Sequence, residues 1–309
     1  MKHFINLKDI PAKDLQKIIT DAKKRKNLRK KLSTLEFDKG TPLKGKMLIQ
    51  MFEKASSRTR ISFYLAIKQL GGGTLTLRSN ELHLGQGGES ISDTAKILST
   101  YGDGFMLRTD SDEKIKNFKN HLSIPIINGL SPSSHPTQVL SDVFTVEEIK
   151  KKSISKLNIC WIGDSNNVLN SLIAASVKFS FKLSIGCPKK FEPNKEVKKW
   201  VKINNKKIFI HSDPRKAALG ADVIFSDKVI SLNDKVNKKK KLAYFKKFRI
   251  TKELMSYAKK DCIFLHCLPR GSEVSDEIFL GKKSHVWQQA LNRVHVQKSI
   301  LLYCFGKLR

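Results

Sequence analysis

Negative charge is scarce in this sequence. It holds 28 acidic residues against 59 Lys and Arg, a formal net charge of +31. Cysteine is scarce too. There are five, at positions 160, 187, 262, 267 and 304, an odd number with no C-x-x-C spacing. A disulfide framework and a thiolate zinc site are both excluded as organising devices. A reducing compartment follows, and the cytoplasm is the expected location. No apolar run reaches the ~18 residues of a membrane span. The opening MKHFINLKDI is not followed by an apolar h-region, so no secretory signal is expected. The phosphate loop G-x-x-x-x-G-K-[ST] is missing, as is the dinucleotide fingerprint G-x-G-x-x-G. Walker-type and Rossmann dinucleotide sites are therefore disfavoured.

What remains is a globular composition. The 309 residues are 40% hydrophobic and 28% charged, enough for about two domains with their own cores. The positive charge has two readings. Segment 23–31, KKRKNLRKK, holds seven basic residues in nine, and further runs lie at 150–152 and 238–241. One reading is a nucleic-acid footprint. The other is a solvated, Lys-rich surface. Lys greatly outnumbers Arg and no aromatics interleave the runs, so neither bidentate base readout nor stacking is provided. The surface reading is preferred, and a basic nucleic-acid-binding protein stays as a distant alternative. A positive field also favours an anionic substrate.

Short apolar runs alternate with helical periodicity. Strands are expected at 46–52, 74–77, 104–107, 124–127, 157–162, 183–185, 207–210, 223–225 and 262–265. Asp9-Ile10-Pro11 reads as a cap opening a helix that runs to about Leu32. Phe63, Ala66, Ile67 and Leu70 share one helical face, Val139, Val143 and Val146 another, and Val168, Leu172, Ala175 and Phe179 a third. Gly71-Gly72-Gly73 ends the first of these, and Pro136 starts the second. The pattern predicts an α/β protein of two doubly wound parallel-sheet domains joined by interdomain helices. In such sheets ligands sit at the carboxyl ends of strands.

Six strand-end segments carry polar chemistry. Phe52–Arg60, FEKASSRTR, places Ser56, Ser57 and Thr59 at a helix N-terminus with Arg58 and Arg60 among them. Free N–H groups, hydroxyls and a guanidinium there suit a phosphate-like dianion; an ordinary capped helix fits equally well. Arg108 ends the third strand. His135 and Gln138 flank the Pro136 helix start, where both can donate to a carbonyl oxygen. Gly163-Asp164-Ser165-Asn166-Asn167 follows the fifth strand. Asp227 follows Val223–Phe225, with Ser231-Leu232-Asn233 behind it. His266-Cys267-Leu268-Pro269-Arg270 follows the last strand. Cys267 as a nucleophile lacks an assigned base, and a structural role is the plainer reading.

Together these segments resemble the aspartate/ornithine carbamoyltransferase family over nearly the whole chain. The resemblance rests on SSRTR at 56–60, ESISDTAKIL at 89–98, FMLRT at 105–109, HPTQ at 135–138, GDSNN at 163–167, Asp227 with Ser231, and HCLPR at 266–270. HCLPR points to the ornithine branch. The resemblance implies a carbamoyl phosphate-binding domain at 1–147 and an ornithine-binding domain at 148–290. A last helix at about 291–304 would return to the first domain. It implies carbamoyl transfer to the δ-amine of L-ornithine, giving L-citrulline and phosphate, with no metal or organic cofactor. Carbamoyl phosphate would meet Ser56, Ser57, Arg58, Thr59, Arg108, His135, Gln138, Cys267, Leu268 and Arg293. Of these, Arg108, His135, Gln138 and Cys267 would be catalytic. Ornithine would meet Asn167, Asp227, Ser231 and Leu232. The family's unit is a homotrimer with shared sites, into which the loop near 80–88 of a neighbour would reach.

Departures from the family pattern fall mainly on the acceptor side. D-x-x-x-S-M-G reads here Asp227-Lys228-Val229-Ile230-Ser231-Leu232-Asn233, LGQGGES at 84–90 carries an extra Gly, and Leu291 replaces a Glu before Asn292-Arg293. A related enzyme with another amine acceptor, putrescine or a modified ornithine, is the alternative.

Overall fold

The structure, a computed structural model, describes residues 1–78, 88–204, 207–230 and 237–308. The chain divides into two units: residues 1–144 with the chain from Leu291 onward, and Thr145–Ala290. The first contains strands β1 (Met47–Phe52), β2 (Gly73–Arg78), β3 (Gly104–Arg108) and β4 (Ile126–Leu130), with helices α1 (Ala12–Leu28), α2 (Ser57–Gln69), α3 (Ile91–Tyr101) and α4 (Asp112–His121). Helix α5 (Pro136–Lys150) carries the chain into the second unit. There follow β5 (Asn158–Ile162), β6 (Lys182–Gly186), β7 (Ile208–His211), β8 (Val223–Ser226) and β9 (Ile263–His266). The helices of this unit are α6 (Asn167–Lys178), α7 (Lys195–Asn204), α8 (Pro214–Ala218), α9 (Lys238–Phe245), α10 (Lys252–Ser256) and α11 (Asp276–Phe279). Helix α12 (Val286–Cys304) returns the chain to the first unit.

Both sheets are wholly parallel. Their orders are β2-β1-β3-β4 and β7-β6-β5-β8-β9. Each order reverses once: between β1 and β3 in the first sheet, and between β5 and β8 in the second. Such a reversal leaves a crevice at the strands' carboxyl ends. The segments after Phe52, Arg108, Ile162 and Ser226 border those crevices. Parallel strands are covered on both faces, which explains their unbroken apolar runs: Leu48, Ile49, Met51, Phe105, Met106 and Leu107 are all buried, as are Ile159–Ile162 and Ile263–Leu265. Burying each such side chain contributes ~1.5–3 kcal/mol.

The expected helical faces are buried. Phe63, Ala66, Ile67 and Leu70 are inaccessible to solvent, Val139, Val143 and Val146 nearly so, and Val168, Leu172, Ala175 and Phe179 line the inner side of α6. Gly71 follows α2 with φ +87°, and a Cβ there would come within 2.7 Å of Thr41.

Two local expectations are corrected. Asp9 is not the cap of α1. It ends a separate 3-10 turn, Leu7–Asp9, capped by Asn6, and Pro11 occupies the cap position of α1. The helix stops at Leu28 because Arg29 is turned inward, donating to the carbonyls of Ser33 and Glu36 and to the Asp38 carboxylate. The fourth strand lies at Ile126–Leu130, two residues later than its apolar run suggests. Pro125 has no N–H for the ladder, and Asn128 and Gly129 continue the strand through a register shift beside Leu107 and Arg108.

The basic runs are partly consumed by packing. Within 23–31, Arg25 bonds Asp21, Lys26 bonds Asn292 and Arg29 bonds Asp38. Lys150 pairs with Asp261, and the buried Lys241 pairs with Asp164 at 2.6 Å. Among the described residues no helix is long and apolar enough to cross a membrane.

Candidate active site

In the first unit the site grows from the carboxyl ends of β1 and β3. Glu53 ties these ends together: its N–H donates to the Arg108 carbonyl at 3.0 Å, and its carboxylate takes Thr109 Oγ1 and Lys114 Nζ. Helix α2 starts at Ser57, with Ser56 in extended conformation at the cap and its hydroxyl making no capping bond. The first intrahelical bond comes from Arg60 N. Ser57, Arg58 and Thr59 thus form the first turn of α2, at the positive end of the helix dipole.

Thr59, nearly inaccessible, joins three elements. Its Oγ1 accepts from Arg293 Nη2 of α12 at 2.8 Å and lies 3.4 Å from Arg108 Nη1. Arg293 sends its other arm, Nη1, to Gln138 Oε1 at 2.8 Å. Gln138 Nε2 in turn donates to Asp142 Oδ1 at 2.8 Å, one turn along α5. His135, buried just before Pro136, feels this cluster. Burial, then the charges of Arg293, Arg108 and Arg58, hold its pKa well below the ordinary 6.5. It is a neutral imidazole at physiological pH. Burial, then Arg58, brings Arg108 down to about 10, so it stays charged. Three guanidiniums thus converge on one neutral histidine at the mouth of a helix dipole. An anion with a carbonyl oxygen to polarise suits that arrangement.

In the second unit, the site lies at the ends of β5, β8 and β9. Gly163 leaves β5 with φ +149°, and Asn166 caps α6 by accepting from Val168 N and Leu169 N. Asn166 Nδ2 also donates to Asp227 Oδ2 at 2.8 Å. Burial pushes the Asp227 carboxyl above its ordinary 3.8, against the opposing pull of His266 and of hydrogen bonds from Lys228 N–H and Asn166. His266 stands opposite Ser226 in the ladder. Its Nε2 meets Glu273 Oε1 at 3.1 Å and its Nδ1 accepts from Leu268 N at 2.9 Å. His266 thus pins the turn bearing Cys267 and Leu268, with Leu268 at φ +57°. Glu273 also takes Gly271 N–H and lies 3.5 Å from Val229 N. A buried, anchored carboxylate beside this turn suits a cationic group on the ligand.

The expected residues thus gather in two places. Thr59, Arg108, His135, Gln138 and Arg293, with Arg58 acting through its charge, form the first, and Ser56 and Ser57 sit at its helix end. Asp227, Asn167, Cys267 and Leu268 stand on adjoining strand ends in the second. Ser231, Leu232 and most of the 80–88 loop lie outside the described residues. Sequence reasoning passed over Glu53, Asp142, Asn166 and Glu273. Asn166 and Asn167 are neighbours of the same type, and only coordinates tell which one holds Asp227. Among the described residues no cluster of His, Cys, Asp or Glu could hold a metal ion.

Two parallel α/β units make up the chain, one gathering arginines at a helix end and the other holding an anchored carboxylate. Residues 2–148 match the carbamoyl-P binding domain of aspartate/ornithine carbamoyltransferases, and residues 155–304 match their Asp/Orn binding domain. The chain belongs to the aspartate/ornithine carbamoyltransferase family. It is 39% identical over 307 residues to an ornithine carbamoyltransferase of Agrobacterium fabrum, covering 99% of this chain and 98% of that one. Its fold superposes on the Pyrococcus furiosus ornithine carbamoyltransferase with a TM-score of 0.92 at 36% identity, covering 99% and 97% of the two chains. The anabolic ornithine carbamoyltransferase of Campylobacter jejuni gives 0.88 at 36% identity with complete coverage of both.

Proposed function

We propose that this protein transfers the carbamoyl group of carbamoyl phosphate to the δ-amine of L-ornithine, releasing L-citrulline and phosphate. The first unit takes carbamoyl phosphate. Its phosphate rests on the N-terminus of α2, against Ser56, Ser57, Arg58 and Thr59. Arg108 bridges phosphate and carbonyl, and Arg293 completes the cradle. Charge that develops on the carbonyl oxygen is met by Arg108, neutral His135 and Gln138. Loss of one such donor costs ~100- to 1000-fold in rate.

The second unit takes ornithine. Asp227 pairs with the α-ammonium, and Asn167, Ser231 and Leu232 hold the rest of the amino-acid end. The turn of Cys267 and Leu268 orients the δ-amine through its backbone carbonyls. The neutral amine attacks the carbonyl carbon. The new C–N bond forms, the bond from carbon to the phosphate oxygen breaks, and the amine proton leaves with the phosphate. A free amine of this type has a pKa near ~10, so the reaction accelerates as pH rises toward that value.

The observation that carries the choice of acceptor is Asp227, anchored by Asn166 at the reversal of the second sheet. An aspartate acceptor calls for cations around its second carboxylate, and an N-acylated ornithine has no α-ammonium for Asp227. The reading extends to a cytoplasmic homotrimer with shared sites, to be checked by light scattering. The function is tested by supplying purified protein with carbamoyl phosphate and, in turn, ornithine, putrescine, aspartate and N-acetylornithine. Citrulline from ornithine, with the others at least ~100-fold slower, is expected. Faster turnover of putrescine overturns the acceptor assignment.

A further inference from the structure

Gln138 enters the proposed reaction as a donor to the carbamoyl oxygen, yet an amide can turn either end toward a substrate. With Nε2 inward it donates. With Oε1 inward it repels the developing oxyanion. The two orientations have the same shape and nearly the same packing, so packing alone does not choose between them. Hydrogen bonds from the surrounding protein must.

Two groups make that choice. Arg293 Nη1 donates to Oε1 at 2.8 Å, and Asp142 Oδ1 accepts from Nε2 at 2.8 Å. A guanidinium has only donors and a carboxylate only acceptors. Turned over, the amide would aim its N–H groups at Arg293 and its oxygen at Asp142, losing both bonds and facing like polarity twice. All three side chains are buried: Gln138 is 2% exposed, Asp142 1% and Arg293 3%. Away from water, each unmade bond costs ~1–3 kcal/mol. One N–H of Gln138 is committed to Asp142, which leaves the other for the substrate. Arg293 also bonds Thr59, so its guanidinium is itself fixed.

We infer that Asp142 is a positioning residue: it locks the Gln138 amide so that an N–H faces the carbamoyl oxygen. The inference rests on the reading of the site given above and deepens it. Asp142 lies one helical turn beyond Gln138, so it acts through the amide and makes no contact with substrate in this scheme.

A double-mutant cycle in citrulline formation tests it. Wild-type turnover of ornithine checks the underlying reading first, so failure there is distinct from failure of the inference. Asp142→Ala should lower kcat/KM for carbamoyl phosphate by ~10-fold or more, as the amide, held then by Arg293 alone, loses its fixed aim, while the KM for ornithine changes less than twofold. On a Gln138→Ala background the same change should cost less than twofold, because no amide is left to orient. Asp142→Asn offers an acceptor in one of its two orientations. It should cost about three- to fivefold on the wild-type background and nothing on the Gln138→Ala one. It also serves the test if the alanine variant does not fold. Equal costs on both backgrounds, for either variant, overturn the inference and leave Asp142 a merely structural residue.

Discussion

Arg293 Nη2 donates to Thr59 Oγ1 at 2.8 Å across 234 positions of sequence, joining the last helix to the first residues of α2. The same guanidinium holds Gln138. The end of the chain thus braces two segments that the proposed reaction places on carbamoyl phosphate. Removing Arg293 should therefore be felt in binding and folding together. Arg293→Ala is expected to raise the KM for carbamoyl phosphate and lower kcat, together ~100-fold or more. It should also destabilise the protein by ~2–4 kcal/mol, since Thr59 and Gln138 lose buried partners. Steady-state kinetics with urea unfolding of the same sample checks both. An unchanged carbamoyl phosphate curve contradicts the assignment.

Asp227 provides a pH test. Burial raises its carboxyl above 3.8, while pairing with the α-ammonium requires the ionised form. In the free protein that raised value favours the native state at low pH, and the benefit is lost as pH rises through it. Bound ornithine reverses the preference. The value of kcat/KM for ornithine should therefore fall on an acid limb displaced upward from 3.8, while the KM for carbamoyl phosphate stays level. Asp227→Asn should lose ~100-fold in kcat/KM for ornithine, and the limb with it. Persistence of the same limb in the variant removes Asp227 from the acceptor site.

Glu273 links the strand-end segments of β8 and β9 through His266, Gly271 and Val229. Burial alone would raise its carboxyl, but His266 and Gly271 pull it below 4.5. Its contribution to stability is then complete above 4.5 and lost as pH falls through the lowered native value. Glu273→Gln should raise the KM for ornithine about fivefold, because the Cys267–Leu268 turn loosens, and leave that for carbamoyl phosphate alone. Its stability deficit at pH 7 should shrink on acidification. A deficit independent of pH counts against a role for the ionised carboxylate.

A second buried network lies away from the site. Asp38 receives Arg29 Nη1 at 2.7 Å and Lys298 Nζ at 3.0 Å, with Arg25 at 3.5 Å. Removing the shared anion strands two buried cations, Arg29 and Lys298, so Asp38→Ala should cost ~3–5 kcal/mol. Lys298→Met leaves Asp38 with its arginines and should cost less than ~1 kcal/mol or stabilise. Urea midpoints of the two variants decide it, and equal losses would contradict this account of the network.

The parallel α/β architecture was legible because its determinants are local. Period-3.6 faces such as Phe63, Ala66, Ile67 and Leu70, and unbroken strands such as Leu157–Ile162, announce themselves in a single window. The segments bearing polar groups were legible for the same reason, since strand ends are where such chemistry collects. What stayed hidden depends on distance along the chain. Nothing near Asp38 indicates Lys298, 260 residues away, and nothing near Thr59 indicates Arg293. Nothing in the sequence marks Asp142 among the polar residues of α5, because its bond to Gln138 exists only in the folded chain. The early end of α1 was missed because Arg29 reads as one more surface cation in a basic run, whereas it is buried against Asp38.

The central claim is that the arginines around His135 hold the phosphorylated carbonyl while Asp227 serves only the amine. Calorimetric titration with phosphonoacetamide, a stable analogue with methylene in place of the bridging oxygen, tests it most directly. Wild type and Asp227→Asn should bind it alike, and Arg58→Ala at least ~10-fold more weakly. Undiminished binding by Arg58→Ala, or loss of binding in Asp227→Asn, would contradict the account.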